Sequence, residues 1–167
     1  MLTKFMKVIL FFSLVSTSAN AATTLSWDDL VPKEDLVFTR MVMKQPVEHE
    51  GQEFAPQPVD EPLLRTVGEL DGKMVKLPGY LVPVVGDDEQ ITAFILVPGA
   101  ESCGHEPPPP PNQIVYVEPE KALPMQWYID PIWIVGVMQI EEVETDRAKA
   151  SYRMSKAQIL SFSDGSD

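Results

Sequence analysis

Five consecutive prolines, Pro107 to Pro111, constrain this chain of 167 residues more than any other feature. Proline has a fixed φ and no amide hydrogen, so such a run enters neither a helix interior nor a central strand. It is expected to form polyproline II, a stiff strut of about 15 Å at 3.1 Å per residue with no internal hydrogen bonds. The rest of the 16 prolines are scattered through the chain.

The compartment follows from the first residues. Lys4 and Lys7 precede the apolar stretch Val8 to Val15, and the small-x-small site Ala19-Asn20-Ala21 comes next. Charge, then an apolar core, then small residues is the order of a secretory signal, with cleavage expected after Ala21. A retained membrane helix needs about 20 apolar residues, and this core is much shorter. No cysteine follows the cleavage site, so lipidation is not expected. Residues 22–167 are therefore read as an exported, periplasmic protein that is not integral to the membrane.

With Lys4 and Lys7 removed, 11 of the 13 basic residues remain against 25 acidic ones, a net charge of −14. Such a surface repels phosphate backbones, so nucleic acid is not an expected partner. Metal ions and cationic partners suit it better. The single cysteine cannot close an intrachain disulfide, and stability must come from packing.

Two regions differ in texture. Residues 22–70 read as an extended, irregular, proline-rich arm and linker. Ser26 followed by Asp29 is a capping pattern, Pro32 limits any helix there to about a turn, and Trp27 and Leu30 are the pegs that dock the arm. From Met43 to Pro62 there is no period, and His49 lies there among glutamates as a solvated loop residue. Residues 71–167 are dense in strand signals: Met74 to Val85, Ile91 to Val97, Gln113 to Val117, Ile132 to Ile140 and Tyr152 to Phe162. The end of the last run also reads as a helical turn. Gly79 between Pro78 and Pro83 implies a bent, bulged first strand, and Gly136 a coiled fourth. The expected fold is all-β, a small five-stranded OB-like barrel, because five strands make a poor pair of sheets but a sufficient barrel.

The segments "SWDDLVP", "LDGKMVKLPGYLVPV", "FILVPG", "CGHEPPPPPNQIVYV", "PIWIVGVM" and "ASYRM" occur in this order from Trp27 to Met154. In them the chain resembles the exported bacterial family of domain of unknown function 3299. The resemblance implies a secreted OB-like domain with no assigned biochemistry. It also implies association with an ATP-driven envelope transporter.

The remaining chemistry is concentrated beside the prolines. In an extended segment residues two apart point the same way, so Cys103 and His105 present sulfur and imidazole to one side of Gly104. Zinc or copper takes such ligands, with Glu101, Glu106, Glu118 or His49 as completing donors. The pair is also explained by a buried, apolar cysteine and a histidine bonded to a backbone carbonyl. A third reading makes Cys103 a thiolate activated by His105, although no orienting Asn or Asp and no resolving cysteine is identifiable. The prolines either pin the loop or present a ridge to an aromatic-lined groove on a partner, with Asn112 and Gln113 adding amides to that surface or binding the loop backbone. Trp127, Tyr128, Trp133 and Tyr80 are expected in the core, with the lining of a ligand face as the alternative. No phosphate loop, dinucleotide fingerprint, nucleophile elbow or His-Glu-x-x-His helix occurs. Two functions follow: a non-enzymatic binding or adaptor protein of the envelope, and a thiol-dependent enzyme or redox protein using Cys103 with His105.

Overall fold

The computed structural model describes residues 21–44, 60–99, 109–125 and 130–161. The fold is mostly β, in one seven-stranded sheet. Its strands are β1 (Thr23–Thr24), β2 (Met74–Gly86), β3 (Gln90–Val97), β4 (Val115–Pro119), β5 (Leu123–Pro124), β6 (Ile132–Glu144) and β7 (Lys149–Ser161). Five strands were expected and all five are present; β1 and β5 are two-residue additions. The order across the sheet is β1-β2-β6-β7-β4-β3-β5, and β2 also pairs with β3. The pairings of the five long strands therefore return to β2. All are antiparallel except β4 with β7.

Residue chemistry explains why β2, paired at its start with β1, divides its length between two long neighbours. Its first half, Met74 to Gly79, is bonded to β6, and its second half, from Tyr80, to β3. Gly79 stands at the handover. A Cβ there would come within 2.7 Å of Leu96 Cγ and 2.8 Å of the Val97 carbonyl oxygen, so only hydrogen lets the two strands approach. Ladder irregularities follow at Pro83 to Gly86, the bulged end that the prolines predict. Gly136 has the same role on β6: the register shifts between Val135 and Val137, and a Cβ would meet Met154 Sδ at 2.7 Å.

Alternation along the strands sorts the core. Val75, Leu77 and Leu81 of β2, Phe94 and Leu96 of β3, Val115 and Val117 of β4, Ile134 and Met138 of β6, and Tyr152 and Met154 of β7 form one buried cluster. β3 is buried on both faces, because Ile95 and Val97 join Val82, Ile114 and Ala150 in a second cluster. A continuous apolar run such as "FILV" is the sequence of a doubly buried strand. Trp133 was expected in the core. It is half-buried and points away from the main cluster, with the Lys76 ammonium 4.6 Å from its ring centroid, because it occupies the odd positions of a strand whose even positions face inward. Trp127 and Tyr128 lie outside the described residues.

The arm is more structured than its prolines indicate. Trp27–Leu30 forms a single 3-10 turn; the Ser26 amide and hydroxyl both donate to Asp29 Oδ2, at 2.8 and 2.7 Å. Leu36–Met43 then forms an α-helix, α1, where an irregular connection was expected. Eight residues free of proline and glycine suffice for two turns, and their helical signal was masked because the apolar residues do not mark a buried face. The two pegs dock as expected: Leu25 and Leu30 belong to the main core, with Trp27 packed against it and its Nε1–H donating to the Pro78 carbonyl at 2.8 Å. Beneath them the Tyr152 hydroxyl donates to the Leu30 carbonyl at 2.7 Å and accepts the Val67 amide at 2.8 Å.

Two corrections concern boundaries. The strand expected at Gln113 begins at Val115, because Pro111 opens a 3-10 turn over Pro111–Gln113 instead of ending the strut. Proline is well placed at the first position of such a turn, where its missing amide has no partner to lose. The last strand continues to Ser161, with no helical turn among the described residues; its irregularity is a bulge at Lys156, whose φ is 54°.

Gly79→Ala is expected to lower stability by about 1–3 kcal/mol through overpacking against backbone, measured by denaturant unfolding. Tyr152→Phe strands a buried carbonyl and amide and is expected to cost about 1–3 kcal/mol. Burial pushes the Tyr152 phenol up to about 12. Its contribution is therefore complete below the ordinary tyrosine value near 10 and is lost as pH rises through about 12. The alkaline loss should be absent from Tyr152→Phe in the same titration.

Candidate functional site

Cys103, His105, Pro107 and Pro108 lie outside the described residues, as does His49. What the structure describes is the landing of the proline run on the sheet. Pro109 is buried, and Pro110, at φ −59° and ψ 152°, has the polyproline II backbone expected of it. Pro111, Asn112 and Gln113 follow as the buried 3-10 turn, closed by the Gln113 amide on the Pro110 carbonyl at 2.8 Å and the Ile114 amide on the Pro111 carbonyl at 3.2 Å.

The two amide side chains reach inward to the arm. Asn112 Nδ2 donates to the carbonyls of Pro62 and Arg65, at 3.0 and 3.2 Å. Gln113 Nε2 donates to the carbonyl of Trp27 at 2.9 Å and to that of Asn112 at 3.2 Å. The backbone these amides bind is chiefly that of the arm, not that of their own loop. Unpaired carbonyls buried at such a crossing would each cost free energy, which is the reason amides occupy it. One turn thus ties the end of the proline run to two separate stretches of the arm.

A second polar group lies on the sheet face turned away from the main core, and sequence reading missed it. Arg153 on β7 donates through Nη2 to Glu118 Oε2 and through Nη1 to Glu141 Oε1, each at 2.8 Å, and its guanidinium carbon lies 5.7 Å from the Tyr116 ring centroid. Ser155 Oγ donates to the same Glu118 oxygen at 2.8 Å. The parallel β4–β7 ladder creates this group by setting Tyr116 beside Arg153 and Glu118 beside Ser155. The only sequence signal was the polar phase of two alternating strands, and nothing in it said which strands would be adjacent. The Arg153 bond, and after it the Ser155 bond, hold the Glu118 carboxyl below the usual carboxylate range. Burial, reinforced by the Glu118 charge, raises the Tyr116 phenol. A paired guanidinium, a carboxyl held below its ordinary range and a phenol raised above its own form a network of charge-assisted bonds across β4, β6 and β7.

Among the described residues no three of His, Cys, Asp and Glu are grouped as a metal site requires. Among them, too, no helix is long and apolar enough to cross a membrane.

Comparison with known proteins gives a consistent result. A sequence model of the family described as "Protein of unknown function (DUF3299)" matches residues 27–161. The crystal structure at 2.45 Å resolution of a DUF3299 family protein from Pseudomonas aeruginosa PAO1 is similar, with 30% sequence identity and a TM-score of 0.61. That similarity covers 84% of this chain and 95% of that one. No match was found among the curated proteins.

A depressed carboxylate contributes stability above its unfolded-state value, near 4.3, and loses that contribution as pH falls through the lower folded value. Glu118→Gln should therefore show a weaker acid-side loss of stability than the parent below about pH 4.3, with little difference at pH 7 beyond the small value of a partly exposed ion pair. Urea unfolding as a function of pH measures both.

Proposed function

Because this chain belongs to the DUF3299 family of proteins of unknown function, we propose a role from its own residues: a non-enzymatic periplasmic binding or adaptor protein of the cell envelope. Residues 1–21 are its export signal in this reading, cleaved after Ala21, and an ATP-driven envelope transporter is the partner. The fold we assign to it is a small OB-like barrel. The pairing circuit of the five long strands through β2, with β4 and β7 parallel, supports that assignment.

The observation that carries the functional reading is the buried turn at Pro111–Gln113, whose amides grip Trp27, Pro62 and Arg65. A loop that is only a connection needs no such anchorage; a contact surface does, since order established before binding is not charged against affinity. In this reading Pro107 and Pro108 lead the contact ridge with the partly exposed Pro110, and the buried Pro109, Pro111, Asn112 and Gln113 brace it from beneath. Cys103 and His105 supply sulfur and imidazole to a zinc or copper ion held at the start of the same loop. The charge of −14 on the mature chain supports a cation as ligand and weighs against nucleic acid.

Purified mature protein, Cys103→Ser and His105→Ala are compared for bound metal and for thiol alkylation at neutral pH. Stoichiometric zinc or copper in the parent, lost from both variants, is the expected outcome. Rapid alkylation of Cys103 in metal-free protein would replace the metal reading with a thiol-dependent enzyme or redox protein. A thiol that reacts only after denaturation, again without metal, would reduce the pair to structural residues.

A further inference from the structure

Asp35 and Thr39 stand on one face at the start of helix α1. Asp35 is the residue at its N-terminal boundary, with helical angles of φ −98° and ψ −10°, and the Thr39 amide donates to its carbonyl at 2.9 Å. Side chains four residues apart in a helix lie one above the other, with Cβ atoms about 5–6 Å apart. Both residues are buried, at 4 and 2% exposure.

Each keeps one side-chain oxygen unsatisfied. Among the described residues Asp35 Oδ2 and Thr39 Oγ1 have no hydrogen-bond partner, whereas Asp35 Oδ1 takes the Arg65 guanidinium. A polar atom withdrawn from water without a bond costs free energy, most of all where it carries charge. The helix cannot simply turn these atoms outward. Leu36, Phe38 and Val42 are half-buried along it, and Arg40 is tied to Asp28 through both Nε and Nη2.

Donor and acceptor chemistry selects what can satisfy the pair. A carboxylate oxygen only accepts, a hydroxyl donates once and also accepts, and these two do not bond each other directly. A small group that carries a donor and bonds to both therefore fits between them. A metal ion is ill suited, because the single carboxylate already faces the Arg65 guanidinium and threonine adds no charge. We infer that Asp35 and Thr39 hold one ordered water molecule, which donates to Asp35 Oδ2 and shares a hydrogen bond with the Thr39 hydroxyl. Two partners are the fewest that fix a buried water, and the pair supplies them. Bonded at both oxygens, Asp35 is a fixed partner for Arg65, whose carbonyl takes Asn112 Nδ2 in the turn that ends the proline run. The inference stands independently of any metal or partner proposed above.

A crystal structure of the intact mature chain at a resolution that places waters tests it. A water is expected within about 3.2 Å of both oxygens. A direct bond from the Thr39 hydroxyl to a protein atom, no ordered density between the two oxygens, or a cation at about 2.0–2.6 Å from them would each overturn the inference. Magnetic relaxation dispersion, which counts long-lived internal waters in solution, gives a second reading. Thr39→Val removes one of the two partners and should lower that count by one, while Thr39→Ser keeps the hydroxyl and the count. An unchanged count in Thr39→Val would also overturn the inference. The crystal structure needs no variant, and it decides the matter even if Thr39→Val does not fold.

Discussion

The buried hydroxyl of Tyr152 is the point on which the assembly turns. It donates to Leu30 and accepts from Val67, positions 37 residues apart in the chain, while its ring fills the main core beside Met154 and Val115. A phenol of this kind joins two demands that usually conflict, burial of a large apolar surface and pairing of backbone groups that no strand ladder reaches. Because its two partners lie on either side of α1 and the segment that follows it, one atom holds both ends of the arm to the sheet.

Around that atom the arm and the sheet share one core. Leu25 and Leu30 are as much part of it as Phe94 or Ile134. The side chains that secure the arm from the sheet side, Asn112, Gln113 and Tyr152, all bond to backbone carbonyls or amides rather than to side chains. Such bonds hold the path of the chain and are indifferent to what the arm's side chains do.

The strands were legible because their signals are local. Alternation, β-branched runs and the placement of Gly79, Pro83 and Gly136 depend only on which face of a pleat a residue occupies. Boundaries were less legible where a single proline has two compatible settings: Pro111 fits the end of a polyproline strut and the first position of a 3-10 turn equally well, and the inward bonds of Asn112 and Gln113 decide for the turn. Helix α1 escaped because hydrophobic periodicity locates helices by the face they bury, and this one buries Asp35 and Thr39. Trp133 was misplaced for a related reason, since an aromatic residue in a strand has no sign of its own and takes the face dictated by its parity with Ile134 and Met138.

The sequence by itself determined an acidic, predominantly β chain with Trp27 and Leu30 as anchors, a first strand bent at Gly79, and a family membership legible in its motifs, because each of these rests on residue type and short-range spacing. Tertiary structure alone decided that β2 divides its ladder between β6 and β3. It alone set Arg153 beside Tyr116 and Glu118, and turned the amides of Asn112 and Gln113 toward the arm. Those outcomes depend on which distant segments become neighbours, and that is settled by closure of the whole core rather than by any stretch of residues within it.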